Sequence, residues 1–225
     1  MLIVPIDLGI APELLGRVRL GVLELEGVAV REQDEALAAE IEGTCRELKG
    51  RYGEGKSAEV PGVADARTLY KALGLDPTKT RPSNEALLRR ALKGEALYRI
   101  NTLVDTLNLC SLRHQLPFGL YDRDKLQPPV RLRRGEPGES YEGIRKGAVN
   151  VEARPVLVDG AGPFGNPTSD SARTMITLET RNALVVVYAP AVYRLARLEE
   201  VLDGSAATLT RFCGGTLAGR RLLPD

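Results

Sequence analysis

The segment Asn182 to Tyr188, NALVVVY, carries three consecutive valines in a short apolar run, a composition that suits an extended strand buried on both faces. Such a strand belongs in a layered core, and the rest of the chain supplies both helix and strand signals for the layers. Val18 to Val30, VRLGVLELEGVAV, alternates well enough for a strand or hairpin, with Gly21 and Gly27 as bend positions. Leu37, Ala38, Ile41, Cys45 and Leu48 recur at the helical period from Asp34 onward, until Gly50 and Gly53 stop it. Leu69, Tyr70 and Leu73 repeat that pattern between Val63 and Leu75.

Ser83 stands where it can cap a helix over Asn84 to Lys93, and a second helix is predicted over Asn101 to His114. Beyond it, LYDRDKLQPP reads as a loop, VRLRR as a short basic strand, RRGEPGESYEGIRKG as turns and Val149 to Val158 as one or two strands. Asp159 to Ser171, DGAGPFGNPTSDS, is a long connection of a kind that often carries function. Helices over Ala191 to Leu202 and Ala206 to Phe212 finish the chain. With no regular strand–helix–strand repeat, the expected class is α+β, a layered mixed β-sheet core with flanking helices.

Composition excludes several functions. At 43% hydrophobic and 27% charged residues, the 225-residue chain is ordinary globular material. Three scattered cysteines and no CxxC pair argue against disulfides and zinc ribbons. A net charge of +1 leaves no bulk attraction to nucleic acid, so any RNA contact rests on a local patch such as Arg131, Arg133, Arg134, Arg145 and Lys146. Charged residues interrupt every apolar stretch before the roughly 20 residues a membrane span needs. No signal peptide is evident, and a cytoplasmic location is expected. Neither GxxxxGK[ST] nor GxGxxG occurs, His114 is the single histidine, and no metal or other cofactor is expected.

In INTLVDTLNLCSLRH, Asn101, Asp105, Asn108 and Leu112 fall along one helical stripe, which borders either solvent or a cavity. In GNPTSDSART, Asn166, Thr168, Ser169, Asp170, Ser171 and Arg173 place donors and a carboxylate on one loop. Ordinary turn chemistry explains that loop as well as a cradle for a carboxylate or phosphate does.

The run VDTLNLCSLRHQLPFGLYDRDKL, Val104 to Leu126, resembles the B3/B4 domain of the phenylalanyl-tRNA synthetase beta subunit in its VD, Asn, Pro and aromatic-Asp spacing. RPSNEALLRRALKGEALYRINTLVDTLN upstream, and Gly162 to Tyr188 downstream, are similar to neighbouring segments of stand-alone B3/B4 proteins. The resemblance implies a B3/B4-like domain over residues 81–225, with residues 1–80 as an N-terminal α/β extension packed on it. It also implies an editing module that binds aminoacyl-tRNA and hydrolyses a mischarged ester in trans. Such a site is needed because an apolar pocket rejects an added hydroxyl only about a hundredfold.

Carried over by the resemblance, Asn108 and Asp105 take catalytic positions. Asn101, Gly119, Tyr121 and the loop residues Asn166, Thr168, Ser169, Asp170 and Arg173 take substrate-binding ones. Asp122 completes the aromatic-Asp pair as a loop anchor. The synthetase module has His three residues before that Asp, where this chain has Gly119. That departure motivates an alternative: a non-catalytic module that binds RNA, a free amino acid or another small molecule.

Overall fold

The computed structural model describes residues 4–53 and 57–224; the first three residues of the apolar N-terminus lie outside it. Strands β1 (Leu8–Ile10), β2 (Val18–Glu26), β3 (Phe118–Asp122), β4 (Val130–Arg134) and β5 (Ser140–Gly143) are followed by β6 (Lys146–Asn150), β7 (Pro155–Asp159), β8 (Gly162–Gly165), β9 (Ala183–Pro190) and β10 (Thr216–Leu223). The helices are α1 (Glu35–Tyr52), α2 (Val63–Ala72), α3 (Ser83–Lys93), α4 (Thr102–His114) and α5 (Leu195–Cys213). One sheet runs β1-β4-β7-β8, a second runs β10-β2-β9-β3, and β5 and β6 form a separate hairpin.

The valine-rich strand β9 is buried along its whole length and pairs antiparallel with β2 on one side and β3 on the other. Its alternate residues serve two cores. Val185, Val187 and Ala189 join Leu103, Leu107, Leu198 and Leu202 of the helical layer. Leu184, Val186 and Tyr188 face Leu132, Leu157 and Phe164 of the first sheet together with Tyr70 of α2. Each fully buried valine contributes about 1.5–3 kcal/mol, which is why this short run organises three layers.

The class is thus the expected α+β, with corrections to several elements. Val18 to Glu26 is one uninterrupted strand, and only Gly27, with φ 68°, turns the chain. Gly21 does not bend; a Cβ there would lie 2.7 Å from Leu202 Cδ2, so its bareness lets α5 settle on β2. Gly21→Ala should lower stability by about 1–3 kcal/mol through overpacking, read as a lower urea midpoint at unchanged slope.

Ser83 is the first helical residue and Pro82 holds the cap position without a side-chain bond. Leu120–Asp122 belongs to β3, the segment 133–147 expected as turns holds β5 and the start of β6, and Gly162–Gly165 forms β8 within the expected loop. The two expected C-terminal helices are one, because Gly204 is tolerated mid-helix, where a Cβ would lie 3.4 Å from the His114 ring. A strand, β10, then follows it and pairs with β2. Since β1 pairs β4 and β2 pairs β9, the expected boundary at residue 80 coincides with no break between sheets.

The basic strand is also spent internally: Arg131 pairs with Asp7 at 2.9 Å and Arg133 with Glu139 at 2.7 Å, while Arg134 donates to the Ala153 carbonyl at 3.0 Å. Among the described residues, no helix is long and apolar enough to cross a membrane.

Candidate functional site

The N-terminal half of α4 is pinned by a reciprocal cap. Asn101 Oδ1 accepts from the Val104 N–H at 3.0 Å, and Asp105 Oδ1 accepts from the Ile100 N–H at 3.0 Å, so two otherwise orphaned donors are satisfied. Arg99 lies 3.7 Å from the other Asp105 oxygen. Burial raises the Asp105 carboxyl above the ordinary carboxylate range, against the Ile100 N–H and Arg99, which lower it. Fixed in this way, α4 presents Asn108 one turn further on, partly exposed.

Asn108 borders a cavity of about 950 Å³, within the size range of small-molecule sites. Val104 and Leu107 of α4, Phe118 and Leu120 of β3, and Ile176 give it an apolar interior. Asn166, Thr168, Ser169 and Asp170 form another wall, and Glu32, Arg99, Arg145 and Glu179 also border it. Two segments far apart in sequence therefore meet in one space: the amide on α4 and the loop that follows β8.

That loop is held by phenols. Tyr70 donates to the Pro167 carbonyl at 2.9 Å and lies 3.1 Å from Thr168 Oγ1. Tyr141 donates to the Ser169 carbonyl at 2.6 Å and accepts from Asn166 Nδ2 at 3.1 Å. The Asn166 Oδ1 accepts from the Thr168 and Ser169 N–H groups at 2.8 and 2.9 Å, the bond pattern of an Asx turn. Lys146 Nζ reaches Ser169 Oγ at 3.0 Å.

Asp170 ends this wall. Its Oδ1 is buried without a hydrogen-bond partner among the described residues. Burial pushes its carboxyl up to about 7, against the Tyr121 hydroxyl, the Leu120 N–H and Lys146, which pull it down. Tyr121 and Tyr188, with hydroxyls 3.3 Å apart, are themselves held well above the usual phenol range by burial.

Of the residues singled out in the sequence, Asn101, Asn108, Asn166, Thr168, Ser169 and Asp170 line the cavity. Asp105 does not, because its carboxylate is turned to the helix start. Arg173 does not either: it pairs with Asp159 at 2.8 Å and lies over the Phe164 ring. Tyr121 is buried in the opposite core, edge-on to Phe164 at 4.9 Å. A Cβ at Gly119 would lie 2.4 Å from the Tyr121 hydroxyl, so that phenol fills the space a side chain would need.

Asp122 accepts from Thr180 Oγ1 at 2.8 Å and lies 3.3 Å from Lys125, ties that suit a loop anchor. His114 is half-buried facing α5 at Gly204 and does not line the cavity. Burial, with Arg113 and Arg197, lowers it to about 4. Sequence reading missed Tyr70 and Tyr141, whose only signal was aromatic character in a chain with few aromatics. Among the described residues, no three His, Cys, Asp or Glu side chains cluster as metal ligands.

The B3/4 domain family matches residues 65–213, more than half of the chain and the whole of this cavity apart from its border at Glu32 and Gln33. The chain belongs to the B3/4 domain family. Among relatives, the phenylalanine--tRNA ligase beta subunit of Streptomyces avermitilis is 29% identical over 115 residues, 51% of this chain and 13% of that one. The uncharacterized protein YhzB of Bacillus subtilis is 23% identical over 188 residues, 79% of this chain and 84% of that one.

The crystal structure of an N-terminal fragment of the phenylalanyl-tRNA synthetase beta-subunit from Pyrococcus horikoshii shares the fold, with a TM-score of 0.50 and 14% identity. The likeness covers 99% of this chain and 55% of the fragment. This B3/4 chain thus spans a small part of the synthetase subunit it matches and most of YhzB.

Proposed function

We propose that this B3/4 protein hydrolyses a mischarged aminoacyl ester at the 3′ end of a tRNA released by another enzyme. The observation that carries the reading is one cavity lined both by Asn108 and by the wall that ends at Asp170, whose buried Oδ1 has no hydrogen-bond partner among the described residues. Ester hydrolysis needs a pocket for the acyl group, an oriented ester and donors for the oxyanion. Phe118, Leu120 and Leu107 suit the amino-acid side chain. The Asn108 amide, neutral at every working pH, suits an N–H donor to the ester carbonyl oxygen as negative charge develops there. Asp170, once ionised, puts negative charge beneath the cavity wall, where it favours the α-ammonium of the aminoacyl group.

The test is deacylation of a panel of mischarged tRNAs, Tyr-tRNA(Phe) included. Loss of ester above the spontaneous rate for at least one member is expected, and no such loss anywhere in the panel refutes the reading. In the active pair, Asn108→Ala should lower kcat by about 10²–10³, the usual cost of one oxyanion donor, while leaving the melting curve nearly unchanged.

One observation favours a second reading, a module that binds without hydrolysing. The Tyr121 phenol occupies the space at Gly119, and the single histidine lies away from the cavity, so no imidazole is available as a base. Thermal shifts against the twenty amino acids separate the two: stabilisation by one of them without deacylation of the matching ester supports binding alone.

A further inference from the structure

Beside the cavity, the linker between α3 and α4 presents an aromatic ring to water. Tyr98 is 66% exposed. The Arg90 guanidinium lies over its ring at 4.3 Å from the centroid and donates to its hydroxyl at 3.2 Å. Arg90 is itself fixed by two bonds to the Ala96 carbonyl, at 3.1 and 2.8 Å. The ring is therefore held from one side by a cation that cannot easily swing away, and its remaining surface is open.

The next two residues, Arg99 and Ile100, line the cavity, which puts Tyr98 within about 7 Å of that lining along the chain. Ile100 is 51% exposed. Arg145, at the turn of the β5–β6 hairpin, also borders the cavity, and the neighbouring Lys146 reaches the loop wall.

A rigid exposed aromatic, an apolar neighbour and nearby guanidinium groups match what single-stranded RNA requires. Every base has a face to stack on an aromatic ring, and the backbone needs cations. We propose that Tyr98, backed by Arg90, is a stacking platform for an unpaired base of an RNA 3′ end as it enters the cavity. The inference rests on the aminoacyl-tRNA reading above and adds to it the place where the nucleic acid is gripped. Arg99 and Arg145 would meet its phosphates as point contacts, and neither reads a base.

Two uncharged RNA minihelices, one with a four-nucleotide single-stranded 3′ overhang and one blunt-ended, distinguish the possibilities. Tyr98→Ala should weaken binding of the overhang RNA by about 5- to 150-fold, the usual range for one stacked base. Tyr98→Phe should stay within about twofold, and blunt RNA should bind all three proteins alike. Because Tyr98 carries no charge, its loss should leave the salt dependence of binding unchanged, whereas Arg145→Ala should lower the slope of log K against log salt by about one.

Equal binding of overhang RNA by Tyr98→Ala and the parent, or equal weakening for both RNAs, overturns the platform. If the parent nevertheless deacylates a mischarged tRNA, the enzymatic reading survives alone. If Tyr98 governs overhang binding but no ester is lost, hydrolysis fails and the platform stands. Absence of binding to either RNA by the parent at low salt overturns the platform, and the deacylation panel then decides the enzymatic reading by itself. Tyr98 is exposed, so its variants should melt with the parent, and a matching melt excludes misfolding as the cause.

Discussion

Asp170→Asn should make this protein more stable at pH 8 and, under the hydrolase reading proposed above, slow the loss of ester from a mischarged tRNA. The native carboxyl stands near 7 against an ordinary value of 3.8, so the folded chain keeps a proton that the unfolded chain releases between pH about 4 and 7. Stability from this group is full below pH about 4, falls as pH rises through 7, and is gone by pH 8. The difference amounts to about 4 kcal/mol as an upper bound. Asparagine brings no charge but adds an amide that must find partners, so the expected gain at pH 8 is about 1–4 kcal/mol. In a chain of this size that raises Tm by roughly 2–16 °C.

At pH 4 the variant and the parent should unfold alike. A gain of the same size at pH 4 and pH 8 would mean that Asp170 is not the titrating group. His114 gives the opposite slope: held near 4 against 6.5, it withholds a proton the unfolded chain takes up, so its contribution is lost as pH falls from 6.5 to 4. The two slopes offset each other across the acid range, and the Asp170→Asn protein should leave the histidine slope unopposed by this carboxyl. Such a cost tolerated at a cavity wall is the signature expected of a functional group retained against stability.

The second large effect lies at Glu24. Its side chain is 2% exposed and accepts from Arg123 Nε at 2.9 Å and from the Ile6 N–H at 3.1 Å, with Arg221 Nη2 at 3.3 Å. One carboxylate thus ties the N-terminal segment, the turn after β3 and β10 to the middle of β2. Glu24→Ala should cost about 3–5 kcal/mol, because it strands two partly buried guanidinium groups. The fall in Tm should be roughly 6–20 °C by calorimetry. A fall under 2 °C would show that water reaches those arginines and that the network contributes little.

How far these features were legible differs by element, and the differences have physical causes. The valines of β9 spoke for themselves, since a run apolar on both faces has few other fates. Helix α4 was readable from spacing, and Asn108 and the Asn166–Asp170 loop do share a cavity, but of the stripe only Asn101 and Asn108 line it, beside Val104 and Leu107 from the face expected to meet the core. Asp105 was misplaced because periodicity assigns a residue to a helix face but says nothing of a first-turn carboxylate curling back to cap its own backbone. Arg173 was misplaced because its partner, Asp159, becomes its neighbour only once β7 and β8 pair.

Gly119 read as a missing group until Tyr121 was seen to fill its place. The β5–β6 hairpin hid in a stretch rich in glycine and charge, where turn signals outweigh a short, half-exposed alternation. Strand β10 hid because pairing with β2, and not its own half-exposed sequence, holds it extended.

The partnership between β2 and β9 has a practical corollary for anyone trimming this protein. The family match runs from residue 65 to residue 213, yet the strand that covers one whole flank of β9 comes from Val18–Glu26. A fragment cut at the family limits would carry a bare row of amides and carbonyls beside its most hydrophobic strand, an open template for self-association. Excision at those limits should therefore give aggregates, and any minimal version has to keep the first strand of the central sheet.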